Sequence, residues 1–151
     1  MSAGVLPAAL VTGVAGQDGI YLGRALRRRG YRVVGTVAPG SAARVAASRY
    51  LNDIDVVEVD VRDSSTMREL IERVAPDEIY NLAALSSVGS SWSEAEEVAE
   101  VNGTAVRGLL DAILRYRDDS GRAPRFFQAS SAEVLGGAPR VGHVPSPLTD
   151  G

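Results

Sequence analysis

Cysteine is missing from this 151-residue sequence, histidine occurs once, and aromatic residues make up only 5% of it. Without cysteine the chain has no disulfide, no thiolate nucleophile and no cysteine-ligated metal. The single histidine, His143, has no second histidine or cysteine to share a metal, so no metal site is expected. Because the formal net charge is −3, we also expect no nucleic-acid partner, which would favour a basic surface.

Long apolar runs are missing as well. No run approaches the roughly 18 residues that a membrane span needs, so we expect no membrane partner. The first 13 residues carry no basic segment and lead directly into a strand-like stretch, which predicts a cytoplasmic chain without a targeting segment. The hydrophobic share of 45% and the charged share of 23% are typical of a soluble globular protein.

The apolar residues that are present alternate between short strand-like runs and longer runs with helical spacing. The predicted strands are Ala8–Thr12, Arg32–Val37, Ile54–Val61, Glu78–Ala83 and Arg125–Ala129. The predicted helices are Asp18–Arg29, a short one at Ser41–Leu51, Ser64–Val74 with Asp63 or Ser64 as its cap, and Glu94–Tyr116. This alternation predicts an α/β fold, a doubly wound parallel sheet with strand order 3-2-1-4-5.

The most informative segment, VTGVAGQDGIYL, places three glycines between the first strand and the first helix. In a Rossmann-type fold one glycine makes the tight turn, another lets the backbone approach a pyrophosphate, and the third lets the helix pack on the sheet. The N–H groups at the start of the helix then face the phosphates. The predicted pyrophosphate-binding residues are Gly13, Val14, Ala15, Gly16, Gln17, Asp18 and Gly19.

Other strand ends complete the predicted dinucleotide site. Asp60 and Val61 close the third predicted strand, where the adenine ring is expected, although Asp60 is also interpreted as a helix cap. Small residues at the end of the fourth strand leave room for a ligand: Leu82, Ala83 and Ala84. No acid follows Val37 to bind a ribose 2′-hydroxyl, which favours NADP weakly over NAD.

Four segments, TGVAGQDG, RDSS, PDEIYNLAA and RFFQASSAE, resemble the GDP-mannose 4,6-dehydratases within the extended short-chain dehydrogenase/reductase family. The resemblance covers about residues 8–150, and the Gln17–Asp18 pair is its most discriminating part. It implies a lyase with bound NADP, or NAD as the alternative, that converts GDP-mannose to GDP-4-keto-6-deoxymannose. It also implies a cofactor contact for Ser86, a hydrogen bond from Ser131 to the sugar, and acid/base catalysis by Glu133.

The sequence also departs from the family pattern. Ala38 and Pro39 stand where the family usually has a pair of arginines that bind the 2′-phosphate of NADP. This replacement leaves the choice between NADP and NAD open. The family's Tyr-x-x-x-Lys pair and its substrate domain are missing. We therefore expect a partial Rossmann domain over residues 1–135 and a Gly/Pro-rich terminal loop over 136–151, truncated before the later strands. Such a fragment should not turn over GDP-mannose by itself.

Two other interpretations of function stay open. One is a non-catalytic dinucleotide-binding module, and the other is a nucleotide-sugar epimerase or reductase of the same extended family. The fifth predicted strand would also form an unpaired sheet edge that carries Phe126 and Phe127. Exposed apolar edges pair with other chains, so we expect self-association or a homo-oligomer.

Overall fold

A computed structural model describes residues 6–41, 45, 48–83 and 103–129 of the chain. These residues form one parallel sheet of five strands: β1 (Ala8–Thr12), β2 (Arg32–Val37), β3 (Asp55–Glu58), β4 (Glu78–Asn81) and β5 (Arg125–Gln128). The strand order is β3-β2-β1-β4-β5. The predicted doubly wound, Rossmann-type sheet is therefore confirmed.

The central strand β1 is buried along its whole length. Leu10 lies opposite Val34 of β2 on one side and opposite Ile79 of β4 on the other. A central parallel strand is covered on both faces of the sheet, so its residues have no solvent-facing side. This explains why the sequence AALVT shows no apolar–polar alternation.

In the part of the chain that the structure describes, three helices cover the two faces of the sheet: α1 (Gln17–Arg28), α2 (Ser64–Val74) and α3 (Ala105–Ser120). Side chains alternate between the faces along β1. Ala9 and Val11 pack in one apolar cluster with Leu26 of α1. Leu10 packs in the other, whose helical members from α2 and α3 are Met67, Leu70, Ile71, Val74, Leu109, Ala112, Ile113 and Tyr116.

Local signals begin and end these helices. The Asp63 carboxylate accepts hydrogen bonds from the N–H groups of Ser65 (3.0 Å) and Thr66 (3.1 Å) and so caps α2. At its other end Ala75 adopts a left-handed conformation, with φ 48°, before Pro76. The left-handed conformation ends the helix at Ala75, although it is costly for a residue with a Cβ.

Some element boundaries differ from the predicted ones. β4 ends at Asn81 rather than Ala83, because the N–H groups of Leu82 and Ala83 bond to the Thr12 hydroxyl instead of a strand. β3 is shorter than predicted and ends at Glu58. The predicted helix 94–116 is described from Ala105 and continues to Ser120, and its part over 94–102 lies outside the described residues.

The glycine turn is locked to β2 by a complementary shape. Val14 is completely buried, and a Cβ placed on Gly35 would overlap its side chain. The N–H of Val14 also donates to the Thr36 carbonyl at 3.1 Å. Gly35 is therefore needed for the space it leaves to Val14.

The amino-terminal edge of the sheet is held by a buried carboxylate. Glu78 accepts hydrogen bonds from the hydroxyls of Tyr31 (3.0 Å) and Tyr80 (2.5 Å) and from Arg125. Burial raises the pKa of Glu78, but these three donors outweigh it, so the pKa lies below its usual value. Burial and the same carboxylate raise the pKa of Tyr80 to about 12.

None of the helices within the described ranges is both long and apolar enough to cross a membrane.

Candidate functional site

The turn that follows β1 is closed by backbone contacts. Gly13 has φ +68°, a conformation that favours glycine. The N–H of Gly16 donates to the Gly13 carbonyl at 3.0 Å. A Cβ on Gly13 would lie 3.0 Å from both the Ala83 nitrogen and the Leu82 oxygen. The turn therefore packs directly against the chain that leaves β4.

The third glycine of the turn lets α1 approach the sheet. A Cβ on Gly19 would lie 2.5 Å from the Gly13 oxygen and 2.7 Å from the Val14 Cα. Both atoms belong to the backbone, so no side-chain movement could relieve the overlap. Gly16 is less constrained, because its Cβ would lie 3.3 Å from the Gly13 oxygen. The glycine spacing in the sequence therefore has a steric cause.

The N-terminus of α1 has no side-chain cap. Its N-cap residue, Gly16, is extended and has no side chain to accept a hydrogen bond. The helical ladder begins with the Ile20 N–H, which donates to the Gly16 carbonyl. The three N–H groups before it belong to Gln17, Asp18 and Gly19. They have no acceptor among the residues that the structure describes. A row of open N–H groups at the positive end of a helix is suited to an anion.

Two other residues of the predicted pyrophosphate segment support the turn. The N–H of Val14 donates to the Thr36 carbonyl, and the Val14 side chain is buried. Val14 therefore anchors the turn to the sheet and offers no donor to a ligand. Ala15 is half-buried and packs at the edge of the α1 cluster. The open donors are therefore concentrated at the start of the helix.

Asp60 lies just beyond β3 at the same edge of the sheet. The N–H of Val59 extends the pairing with β2 by donating to the Val37 carbonyl at 2.9 Å. Arg62 holds the Asp60 carboxylate from two sides, with Nε at 2.9 Å from Oδ1 and Nη2 at 2.7 Å from Oδ2. These bonds keep the pKa of Asp60 below its usual value, so the carboxylate is ionised.

The interpretation of Asp60 as a helix cap is not borne out, because Asp63 caps α2. Val61 is half-buried and packs against the apolar cluster that Leu10 forms with the buried residues of α2 and α3, called here the α2–α3 cluster. Both residues lie at the carboxyl-terminal edge, where the prediction placed the adenine ring.

The sequence interpretation missed a row of polar side chains at this edge. Thr12, Asn81 and Gln128 are the last residues of β1, β4 and β5. A signal is present in the sequence, because each is a hydrogen-bonding residue that directly follows apolar or aromatic residues of its strand. The row lies beside Leu82 and Ala83, so it borders the predicted site.

Several predicted site residues cannot be placed. Ala84, Ser86, Ser131 and Glu133 lie outside the described residues. Within the described ranges, no group of three or more acidic or histidine side chains could hold a metal ion. What remains is a set of open helix N–H groups beside a glycine turn, which is suited to an anion, and an ionised carboxylate further along the same edge of the sheet.

Comparison with known families covers most of the chain. Residues 10–145 match the family described as GDP-mannose 4,6 dehydratase. GDP-mannose 4,6 dehydratase 1 of Arabidopsis thaliana is 36% identical over 140 residues, which are 87% of this chain and 39% of the relative. The human GDP-mannose 4,6 dehydratase is 34% identical over 150 residues, which are 93% of this chain and 39% of the relative.

Solved structures share the fold. A UDP-glucose 4-epimerase from Brucella ovis in complex with NAD superposes with a TM-score of 0.70 at 26% identity, covering 94% of this chain and 39% of that one. A UDP-glucose-4-epimerase from Stenotrophomonas maltophila with bound NAD superposes with a TM-score of 0.71 at 28% identity, covering 93% of this chain and 40% of that one. The chain thus spans about two-fifths of the length of the curated relatives it matches. Since the family match extends over 10–145, the chain belongs to the GDP-mannose 4,6 dehydratase family.

Proposed function

We propose that this chain binds a nicotinamide dinucleotide and forms the cofactor-binding part of a GDP-mannose 4,6-dehydratase. The observation that carries the proposal is the open N-terminus of α1, where the N–H groups of Gln17, Asp18 and Gly19 have no acceptor in the described part of the chain. Free helix N–H groups and the positive end of the helix dipole are suited to a pyrophosphate. The structural similarity to NAD-bound epimerases supports this ligand.

The dinucleotide would lie along the carboxyl-terminal edge of the sheet. Its pyrophosphate would contact the N–H groups of Gln17–Gly19, above the turn made by Gly13 and Gly16. At β3, the ionised Asp60 carboxylate can accept a hydrogen bond from the adenine amino group, with Val61 beside the ring. Leu82, Ala83, Ala84 and Ser86 would line the other half of the site.

The bound nicotinamide would supply hydride acceptance from C4 of the mannose and hydride return to C6. This chain would contribute Ser131 as a hydrogen-bond donor to the sugar oxygen. Glu133 would act as acid/base for the C5 proton and the departing C6 hydroxyl. We propose NADP as the cofactor, because no acid follows Val37 to bind a ribose 2′-hydroxyl. NAD is the alternative, because Ala38 and Pro39 provide no arginine for a 2′-phosphate.

Calorimetric titration tests the proposal directly. The chain is titrated with NADP and with NAD, and with adenosine as a ligand that lacks the pyrophosphate. We expect saturable heat with at least one dinucleotide and none with adenosine, because the phosphates provide the main contacts. A folded sample that gives no heat with either dinucleotide would refute the proposed function.

A further inference from the structure

The polar side chains at the ends of β1, β4 and β5 form one continuous chain of hydrogen bonds. The Thr12 hydroxyl donates to Asn81 Oδ1, and Asn81 Nδ2 donates to Gln128 Oε1 at 2.8 Å. Gln128 Nε2 donates to the Ala129 carbonyl at 2.6 Å. Thr12 and Asn81 are buried and Gln128 is half-buried, so water has little access to these bonds.

The Thr12 hydroxyl also accepts two backbone hydrogen bonds. The N–H groups of Leu82 and Ala83 both donate to Thr12 Oγ1 at 3.1 Å. A hydroxyl has one proton and two lone pairs. Because both lone pairs are used by peptide groups, the proton has to go to a third partner, which is the amide oxygen of Asn81.

This requirement fixes the orientation of the Asn81 amide. Its oxygen has to face Thr12, so its NH₂ group has to face β5, where it needs an acceptor. Gln128 provides that acceptor, and its own NH₂ group is held by the Ala129 carbonyl. Each group of the chain therefore has only one orientation that satisfies all its neighbours.

We propose that Gln128 is a positioning residue for the dinucleotide site, acting through Asn81 and Thr12 on the chain that leaves β4. This inference rests on the proposed function. Gln128 lies two strands away from Thr12, roughly 10 Å by the usual strand spacing, so it does not itself form the glycine turn. Its amide oxygen is the acceptor that the Asn81 NH₂ group needs when the Asn81 oxygen faces Thr12.

The effect reaches the site because the glycine turn rests on the segment that Thr12 holds. A Cβ on Gly13 would lie only 3.0 Å from the Leu82 oxygen and the Ala83 nitrogen. If the Asn81 amide turns over, it presents a donor to Thr12, whose lone pairs are already occupied. The hydroxyl then has to release Leu82 or Ala83, and the surface beneath Gly13 shifts.

The test compares Q128L, Q128E and F126L in the full 151-residue chain. Leucine removes both polar groups, whereas glutamate keeps the acceptor for Asn81. Phe126 lies on the same strand and packs against the α2–α3 cluster, so F126L weakens β5 without touching the polar chain. Two readouts are taken: amide hydrogen exchange of Leu82 and Ala83 relative to Leu10, and the dissociation constant for the dinucleotide.

For Q128L we expect the relative exchange of Leu82 and Ala83 to rise about tenfold, the effect of one buried hydrogen bond of roughly 1.4 kcal/mol. The dissociation constant should rise several-fold. Q128E should retain more of the protection than Q128L, because it keeps the acceptor for Asn81 although it loses the donor to the Ala129 carbonyl. F126L should change amide exchange uniformly and leave the dissociation constant at its wild-type value.

The proposal is overturned if Q128L leaves the relative exchange unchanged, or if exchange rises while the dissociation constant does not. An equal loss of affinity in F126L would also overturn it, because any weakening of β5 would then suffice. A wild-type chain that binds neither dinucleotide contradicts the proposed function itself, and this result is obtained before any variant is made.

Discussion

The N-termini of α1 and α2 show two ways to begin a helix at the same edge of one sheet. α1 begins at Gly16, which offers no side chain, and the next three N–H groups have no acceptor in the described part of the chain. α2 begins at Asp63, whose carboxylate accepts two N–H groups and the hydroxyls of Ser65 and Thr66. Both helices follow a parallel strand, so position in the fold does not explain the difference.

The comparison separates stability from ligand binding. A side-chain cap satisfies the N–H groups that every helix leaves open and so stabilises the helix. The same cap would occupy the donors that an anion needs. The N-terminus of α1 therefore lacks the stabilisation of a side-chain cap and leaves its donors open to the proposed ligand, whereas the N-terminus of α2 is capped and its donors are occupied.

The most disruptive change is G19A in α1. The added methyl group would overlap the backbone at Gly13 and Val14, so the helix has to move away from the turn. We expect a loss of about 2–3 kcal/mol in the free energy of unfolding, as for other overpacked sites. Dinucleotide affinity should fall by about 100-fold if a similar free energy is lost on binding.

Urea unfolding and calorimetry measure the two effects of G19A. The matched control is G103A, since a Cβ on Gly103 meets no atom within 4 Å. Wild-type affinity in a folded G19A variant would show that close packing of α1 on the turn is not needed for binding.

Next in size is G16D, which gives α1 the kind of cap that α2 has. Gly16 has φ −72° and ψ 166°, a conformation open to any residue. The new carboxylate should stabilise the protein by about 0.5 kcal/mol through capping and the helix dipole. It should weaken dinucleotide binding by about tenfold or more, because it occupies the donors and repels phosphate.

The melting temperature of G16D should therefore rise, while its dinucleotide affinity, measured by calorimetry, should fall. G16N serves as the control, because asparagine caps without the charge. If G16D strengthened or did not alter dinucleotide binding, the phosphates would have to lie elsewhere.

The smallest expected effect comes from removing the cap of α2. Hydrogen bonds from Ser65 and Thr66 lower the pKa of Asp63 from 3.8 to about 2. The carboxylate therefore stabilises the folded state above about pH 4, and this contribution is lost as the pH falls toward about 2. D63A should melt a few degrees below the wild type near neutral pH, and the gap should narrow in acid.

D63N keeps an acceptor without the charge, so its melting temperature should not follow this pH dependence. Dinucleotide affinity should be the same in all three proteins, because α2 is not proposed to bind phosphate. A clear loss of affinity in D63A would show that the two helix N-termini are not independent.

Local patterns predicted the framework well. The bounds of β1, β2 and α2 are those that the sequence predicts, because continuous apolar runs, helical spacing and the Asp63 cap are all contained within a few residues. The strand order followed from the right-handed connections of parallel strands. The glycine turn was identified because its spacing and its place between a strand and a helix are also local.

What the sequence could not show depends on distant contacts. The end of β4 was predicted two residues too late, because the hydroxyl that captures Leu82 belongs to Thr12, 70 residues earlier. Thr12, Asn81 and Gln128 are each visible as polar residues at strand ends, but no local pattern predicts the hydrogen bonds that join them across three strands. The roles of Ser131 and Glu133, the cytoplasmic location, self-association and the absence of turnover by this chain stay predictions.

The fit between Val14 and Gly35 limits how this site can be transplanted. A designer who grafts the glycine turn onto another parallel sheet has to carry the neighbouring strand's glycine with it. Any larger residue there would displace Val14 and tilt the whole turn out of alignment. The transferable unit is thus a pair of segments separated in sequence, rather than the contiguous motif by which the family is recognised.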